Sequence, residues 1–149
     1  MNPLHKVIIN KDTSIKPIWI MRQAGRYLPE FRKIREKNQD FVQLCLNKKL
    51  VPIITLQPLD RFDLDAAIIF SDILMIPYGI GQKVKFEKKF GPKLGDIKEV
   101  NLDLVNNDLF LEKLNPIYSS MRFLSNKIDK NRKALIGFIG APWTVLVYM

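Results

Sequence analysis

Apolar positions along this chain fall into short runs whose spacing changes from one run to the next. Asn2 before Pro3 makes an N-cap and first-turn pair, after which Leu4, Val7 and Ile8 recur at helical spacing. Ile15 to Ile20 predicts a first buried strand, ending at Met21-Arg22. Pro29 opens a predicted helix through Lys37, with Phe31, Ile34 and the aliphatic carbons of Arg35 turned inward. Its Arg32, Lys33, Arg35 and Lys37 make a wet basic face. A second helical stretch begins at Asp40, and a third runs from Val51 to Phe62, with Pro58 expected to kink or end it. Asp65 to Phe70 is continuously apolar after its first residue, which suits a strand buried on both faces of a parallel sheet. Gln82 to Lys89 alternates, Val84 and Phe86 against Lys83, Lys85 and Glu87, and reads as an exposed hairpin arm. Gly91 to Gly95 reads as the turn after it. Asn115-Pro116 is expected to start a helix with Ile117, Met121, Leu124 and Ile128 on its core stripe. Ala134 to Ile139 reads as a third buried strand, followed at Gly140-Ala141-Pro142 by a helix start.

Buried apolar strands joined by helical crossovers imply an α/β fold with a parallel sheet, either doubly wound or a barrel. The conspicuous polar groups each follow a strand: Arg22 and Arg26 the first, Asp72 the second, the Gly140 turn the third. That is the carboxyl edge, where both architectures place ligands. No glycine-rich dinucleotide fingerprint follows any strand, which weighs against a nucleotide-binding version.

Composition narrows this picture. With 47% hydrophobic residues in 149, one packed domain or part of one is affordable and wholesale disorder is excluded. The net charge of +9 raises the question of nucleic acid. The aromatics, however, lie in apolar runs rather than among the lysines, so a base-stacking platform is disfavoured. A polyanionic small substrate would be steered by the same field. The single cysteine, Cys45, shares a helical face with Phe41 and Leu44 and reads as a buried structural thiol. No Cys/His cluster offers a zinc site, and the lone His5 has nothing nearby to tune it. Ala134 to Met149 is uncharged but broken by two glycines and Pro142, and it is shorter than the ~20 residues of a membrane span. No signal peptide is visible, so a cytoplasmic protein without membrane or nucleic-acid partners is expected.

Two stretches offer chemistry. Arg22 and Arg26 share a face if their turn is helical, and like charges at that spacing repel by about 0.2–0.5 kcal/mol. A solvated basic loop tolerates that cost. So does a site for several carboxylates or phosphates, with Gly25 admitting a ligand to the backbone. Spacing alone does not separate the two. Asp72 likewise has two readings: Ser71 or Asp72 caps the short helix around Ile73-Leu74, or Asp72 is an anion set among Phe70, Ile73 and Leu74. An anion there accepts N–H donors and stabilises developing positive charge. Trp19, Trp143 and Tyr148 read as core aromatics.

The motifs themselves say more. Arg22-Gln23-Ala24-Gly25-Arg26-Tyr27-Leu28-Pro29-Glu30 closely resembles the N-terminal signature of the uroporphyrinogen decarboxylase family of the haem pathway. Leu64-Asp65-Ala66-Ala67-Ile68-Ile69-Phe70-Ser71-Asp72-Ile73-Leu74 and Gly137-Phe138-Ile139-Gly140-Ala141-Pro142-Trp143-Thr144 agree with it in the same order. The resemblance implies the N-terminal portion, residues 1–149, of a (β/α)8 barrel, incomplete because such barrels take about 250 residues. It also implies cofactor-independent removal of CO2 from the four acetate side chains of uroporphyrinogen III, giving coproporphyrinogen III, by an enzyme that is a homodimer when whole. By resemblance, Asp72 is catalytic and binds pyrrole N–H groups, Arg22 and Arg26 bind substrate carboxylates and assist catalysis, and Gln23, Ala24, Gly25 and Tyr148 line the substrate. The family's later serine and histidine have no counterpart in these residues. Two alternatives stand beside it: a truncated or split-gene product acting only as a basic interaction protein, and a methyltransferase of the same superfamily, which would carry a zinc-ligand set. As a barrel fragment, the chain is expected to leave strand edges and part of a core exposed.

Overall fold

The computed structural model describes residues 1–87 and 90–149. Helix α1 (Pro3–Asn10) is capped by Asn2, whose Oδ1 accepts the His5 N–H at 3.0 Å while its Nδ2 donates to the Lys130 carbonyl at 2.9 Å. The terminal helix is thereby tied to the loop before the last strand. Three helices follow: α2 (Pro29–Lys37), α3 (Phe41–Cys45) and α4 (Leu50–Arg61). Strand β1 (Ala66–Ile68) leads to α5 (Met75–Ile80), a hairpin of β2 (Val84–Glu87) and β3 (Gly91–Leu94), and two 3-10 turns at Ile97–Glu99 and Leu102–Leu104. The long α6 (Asn107–Lys127), β4 (Ala134–Ile136) and α7 (Pro142–Tyr148) complete the order.

β1 and β4 pair in parallel, Ala66 opposite Ala134 and Ile68 opposite Ile136, with α5, the hairpin and α6 in the crossover. The result is an α/β unit with a small parallel sheet. Its core gathers Val51 and Ile54 of α4, Ala67 and Ile69 at β1, Leu114 and Leu124 of α6, and Cys45. Burying a Leu or Ile side chain fully contributes about 1.5–3 kcal/mol. The buried Cys45 thiol has the structural setting its helical face suggested, and burial pushes its pKa far above the usual thiol range.

Several boundaries differ from the sequence reading, for identifiable reasons. Ile15 to Ile20 is not a buried strand, since Ile18 is 60% and Ile20 54% exposed. The run lies extended beside the start of β1. Its one ladder-like link there is the Asp65 N–H donating to the Ile18 carbonyl at 2.8 Å, because the Ile18 N–H goes instead to the Asp65 carboxylate at 2.7 Å and Pro17 has no N–H to give. Pro58 lies inside α4 without ending it. Gly91–Leu94 forms a strand opposite Val84–Glu87, with Pro92 facing Phe86, so the expected turn is partly ladder. Lys88 and Lys89 of the predicted arm lie outside the described residues. Asn115-Pro116 falls within α6, which begins at Asn107 because Asn106 caps it, its Oδ1 accepting from Asp108 and Leu109 at 2.6 and 3.3 Å. The Asn115-Pro116 pair, a stronger local start signal, concealed that start. The third strand ends at Ile136, leaving Phe138 and Ile139 exposed, and Trp19 and Trp143 are exposed rather than core.

Candidate functional site

β1 delivers Asp72 to the carboxyl edge of the sheet. Beyond the strand, the Ile69 N–H donates to the Ile136 carbonyl at 3.0 Å and the Phe70 N–H to Thr55 Oγ1 at 3.0 Å. Asp72 then turns the chain: its Oδ1 accepts the Leu74 N–H at 2.9 Å and its carbonyl the Met75 N–H at 3.3 Å. This is the side-chain turn of the helix-capping reading, formed by a residue two positions ahead of the cap position Leu74. The carboxylate is half-buried. Burial pushes its pKa above the ordinary aspartate value, with the Leu74 N–H pulling the other way. Its field reaches the buried Cys45 thiol.

The turn after β4 packs directly on this one. A Cβ on Gly140 would lie 2.4 Å from Val145 Cγ2 and 3.0 Å from Ile73 Cβ, so only glycine lets the two turns meet. The carboxyl ends of β1 and β4 thus form one surface.

The arginine loop is anchored from below by Gln23, 1% exposed. Gln23 Oε1 accepts the Ile20 N–H at 3.3 Å and Nε2 donates to the Ala66 carbonyl at 3.0 Å, pinning the loop to β1. The Tyr27 hydroxyl donates to the Gln23 carbonyl. Arg32 Nη1 donates to the Arg26 and Tyr27 carbonyls at 2.8 and 3.3 Å, and Ala24 packs on the core. Arg22 and Arg26 project from this frame with their side chains exposed. A Cβ on Gly25 would meet nothing closer than the Tyr27 ring at 3.6 Å, and its φ is not left-handed, so packing does not require glycine there. Arg35, read in the sequence as turning its aliphatic carbons inward from a wet face, is half-buried with its guanidinium over the Phe41 ring at 5.3 Å. Burial, then the neighbouring Arg26 guanidinium, hold its pKa below the usual range.

Tyr148, near the end of α7, is half exposed beside the exposed Leu146 and Val147. Among the described residues, no hydrogen bond or ion pair joins Asp72 to Arg22, Arg26 or Tyr148. Asp72 and the Gly140 turn are brought together, and the arginine loop is tied to the same strand through Gln23. Two contributors were not evident from the sequence: the Gln23 side chain as a tether, and Thr55 on α4. Both are polar residues in apolar surroundings, which periodicity alone does not distinguish.

The structure is a parallel-sheet α/β unit with Asp72 just beyond the carboxyl end of β1 and an arginine loop tethered to the start of the same strand; α/β proteins of this class bind their ligands at the carboxyl edge. The sequence profile described as Uroporphyrinogen decarboxylase (URO-D) matches residues 1–149, and the chain belongs to that family. It is 48% identical over 149 residues to the uroporphyrinogen decarboxylase of Vesicomyosocius okutanii, covering 95% of this chain and 41% of that protein. It is 47% identical to that of Chelativorans sp. over 133 residues, 89% of this chain and 39% of the relative. For Campylobacter jejuni the figures are 45% over 141 residues, 93% and 41%. The chain therefore spans about two-fifths of the length of these relatives.

Proposed function

We propose that this chain supplies the arginine-and-aspartate part of a uroporphyrinogen decarboxylase active site, in the first units of a (β/α)8 barrel that is a homodimer when whole. Asp72 carries the reading. It is a half-buried carboxylate at the carboxyl edge whose one side-chain partner among the described residues is the Leu74 N–H, which leaves lone pairs for pyrrole N–H donors. Protonation of a pyrrole ring carbon creates a cation beside that anion. The carbon–CO2 bond then breaks, its electron pair flows into the ring, and CO2 leaves. Proton transfer to the former acetate carbon and loss of the ring proton restore the pyrrole with a methyl group. The pyrrole is its own electron sink, so the proposed step uses no cofactor.

Arg22 and Arg26 hold the substrate carboxylates as exposed guanidinium forks on a loop fixed by Gln23. Gly25 supports this, since nothing in the packing around it excludes a side chain, whereas a ligand approaching the backbone would. Ala24 and Tyr148 line the same substrate. The exposed apolar groups at the end of the chain, Ile139 at 70% and Trp143 at 75% among them, are covered by the remaining barrel.

The reading is tested by combining this chain with a polypeptide carrying the remaining length of the Vesicomyosocius okutanii relative and following conversion of uroporphyrinogen to coproporphyrinogen. Turnover that needs both parts supports it. Salt-sensitive DNA binding by the chain, with no tetrapyrrole binding by the pair, would support the basic interaction protein instead. Stoichiometric zinc binding by the pair would support the methyltransferase.

A further inference from the structure

We propose that Thr55, on α4, is a positioning residue for Asp72. The inference rests on the decarboxylase reading for its purpose but not for its geometry. The β1–β4 ladder ends at Ile69, whose N–H donates to the Ile136 carbonyl. Phe70 comes next, and its N–H donates to the Thr55 hydroxyl oxygen at 3.0 Å. Thr55 is 1% exposed, and its own O–H donates to the Val51 carbonyl at 2.8 Å. The hydroxyl proton is thus committed to α4 and a lone pair is left facing the strand, so the group has one direction in which to act. The Phe70 ring is held in turn by edge contacts to Phe31 and Phe41, at 5.6 and 5.7 Å between centroids.

Only Ser71 separates this fixed point from Asp72. The Asp72 side chain has a single hydrogen bond, to the Leu74 N–H two residues on, so that bond moves with the turn and cannot hold the turn still. A fixed reference comes from outside the turn: Gly140 bears on Ile73 after Asp72, and Thr55 supplies the reference before it by coupling the strand end to a helix whose Val51 and Ile54 are buried. Cys45 of α3 is a buried titratable group within reach of the carboxylate's field. The plainer role for Thr55 is to satisfy a buried N–H and nothing more. The two roles differ in what happens to Asp72 when the hydroxyl is removed.

The test uses the full 149-residue chain, reading amide exchange at Phe70 and the carboxyl-carbon titration of Asp72 by NMR. In the parent, the Phe70 amide is expected to exchange at least about ten-fold more slowly than that of Ser71. Thr55→Val keeps the shape and removes the hydroxyl. It should abolish that protection and move the Asp72 titration down toward the ordinary aspartate value as water enters the turn, and Thr55→Ser should restore both. An Asp72 titration unchanged in Thr55→Val overturns the proposal. Should the valine variant not fold, the parent and Thr55→Ser still decide: an unprotected Phe70 amide in the parent, or a shifted Asp72 titration in the serine variant, overturns it. No substrate enters these readouts, so their failure is distinct from absence of turnover in the reconstitution.

Discussion

Asp72 sits where two demands conflict, because the burial that makes a carboxylate useful against a developing cation also makes its charge costly. Its raised native pKa means that the folded chain holds this proton more tightly than the unfolded chain does. Stability from this group is therefore greatest below the ordinary aspartate pKa and falls as pH rises through the raised one. Asp72→Asn keeps an oxygen for the Leu74 N–H and removes the charge. It should raise the thermal midpoint near neutral pH relative to the parent and flatten that part of the pH–stability curve. Calorimetry across pH 3 to 7 checks this, and a lower midpoint for the variant at neutral pH would count against it. Glu30 has the opposite sign: the Arg61 guanidinium, in a two-bonded pair at 2.6 and 3.0 Å, holds its carboxyl below the usual range. Its contribution is present above the ordinary glutamate pKa and lost as pH falls through the native one, so Glu30→Gln should remove that acid-side loss. At Gly140 the added Cβ would collide with Val145 and press on Ile73, so Gly140→Ala should cost about 1–3 kcal/mol in denaturant unfolding and disturb the Asp72 turn.

Elements were legible in proportion to how locally they are specified. α2 carries its own start signal in Pro29 and its own apolar pair in Phe31 and Ile34, and it forms over the residues its pattern predicts. β1 was legible as a fully apolar run, although its ladder is shorter than the run because β4 turns away after Ile136. The start of α6 was not, because Pro116 is a stronger local signal than the Asn106 cap although Asn106 sets the boundary. Asn106→Ala should accordingly lower stability by about 1 kcal/mol, whereas a substitution at Asn115 should not shift the helix start. Chemical shifts over Asn107 to Lys113 report both. The Ile15–Ile20 run shows the other limit: its pattern is that of a strand, but strand identity requires partners, and a single link to Asp65 does not make a ladder. Of the site, the motif residues were legible by resemblance. The contacts that hold them, from the motif's own Gln23 side chain and from Thr55, span 43 and 15 positions and leave no local trace.

At the scale of the molecule, a chain spanning about two-fifths of its relatives exposes Trp143, Leu146, Val147, Ile139 and Met21 together with the outer edge of β4. Such surfaces make the isolated chain a binder of apolar dyes and prone to self-association, and the complementary polypeptide should suppress both. Under the proposed function, the +9 charge of this chain would draw a polycarboxylate toward Arg22 and Arg26, and binding of such a ligand should weaken as salt rises. These properties concern the surroundings of the site; the proposed chemistry rests on Asp72. The most direct measurement is decarboxylation of uroporphyrinogen by the reconstituted assembly, made once with the parent chain and once with Asp72→Asn. The account predicts turnover with the parent, and with the variant retained substrate binding but turnover reduced by on the order of 10²-fold or more. Near-parent turnover with Asp72→Asn would contradict it.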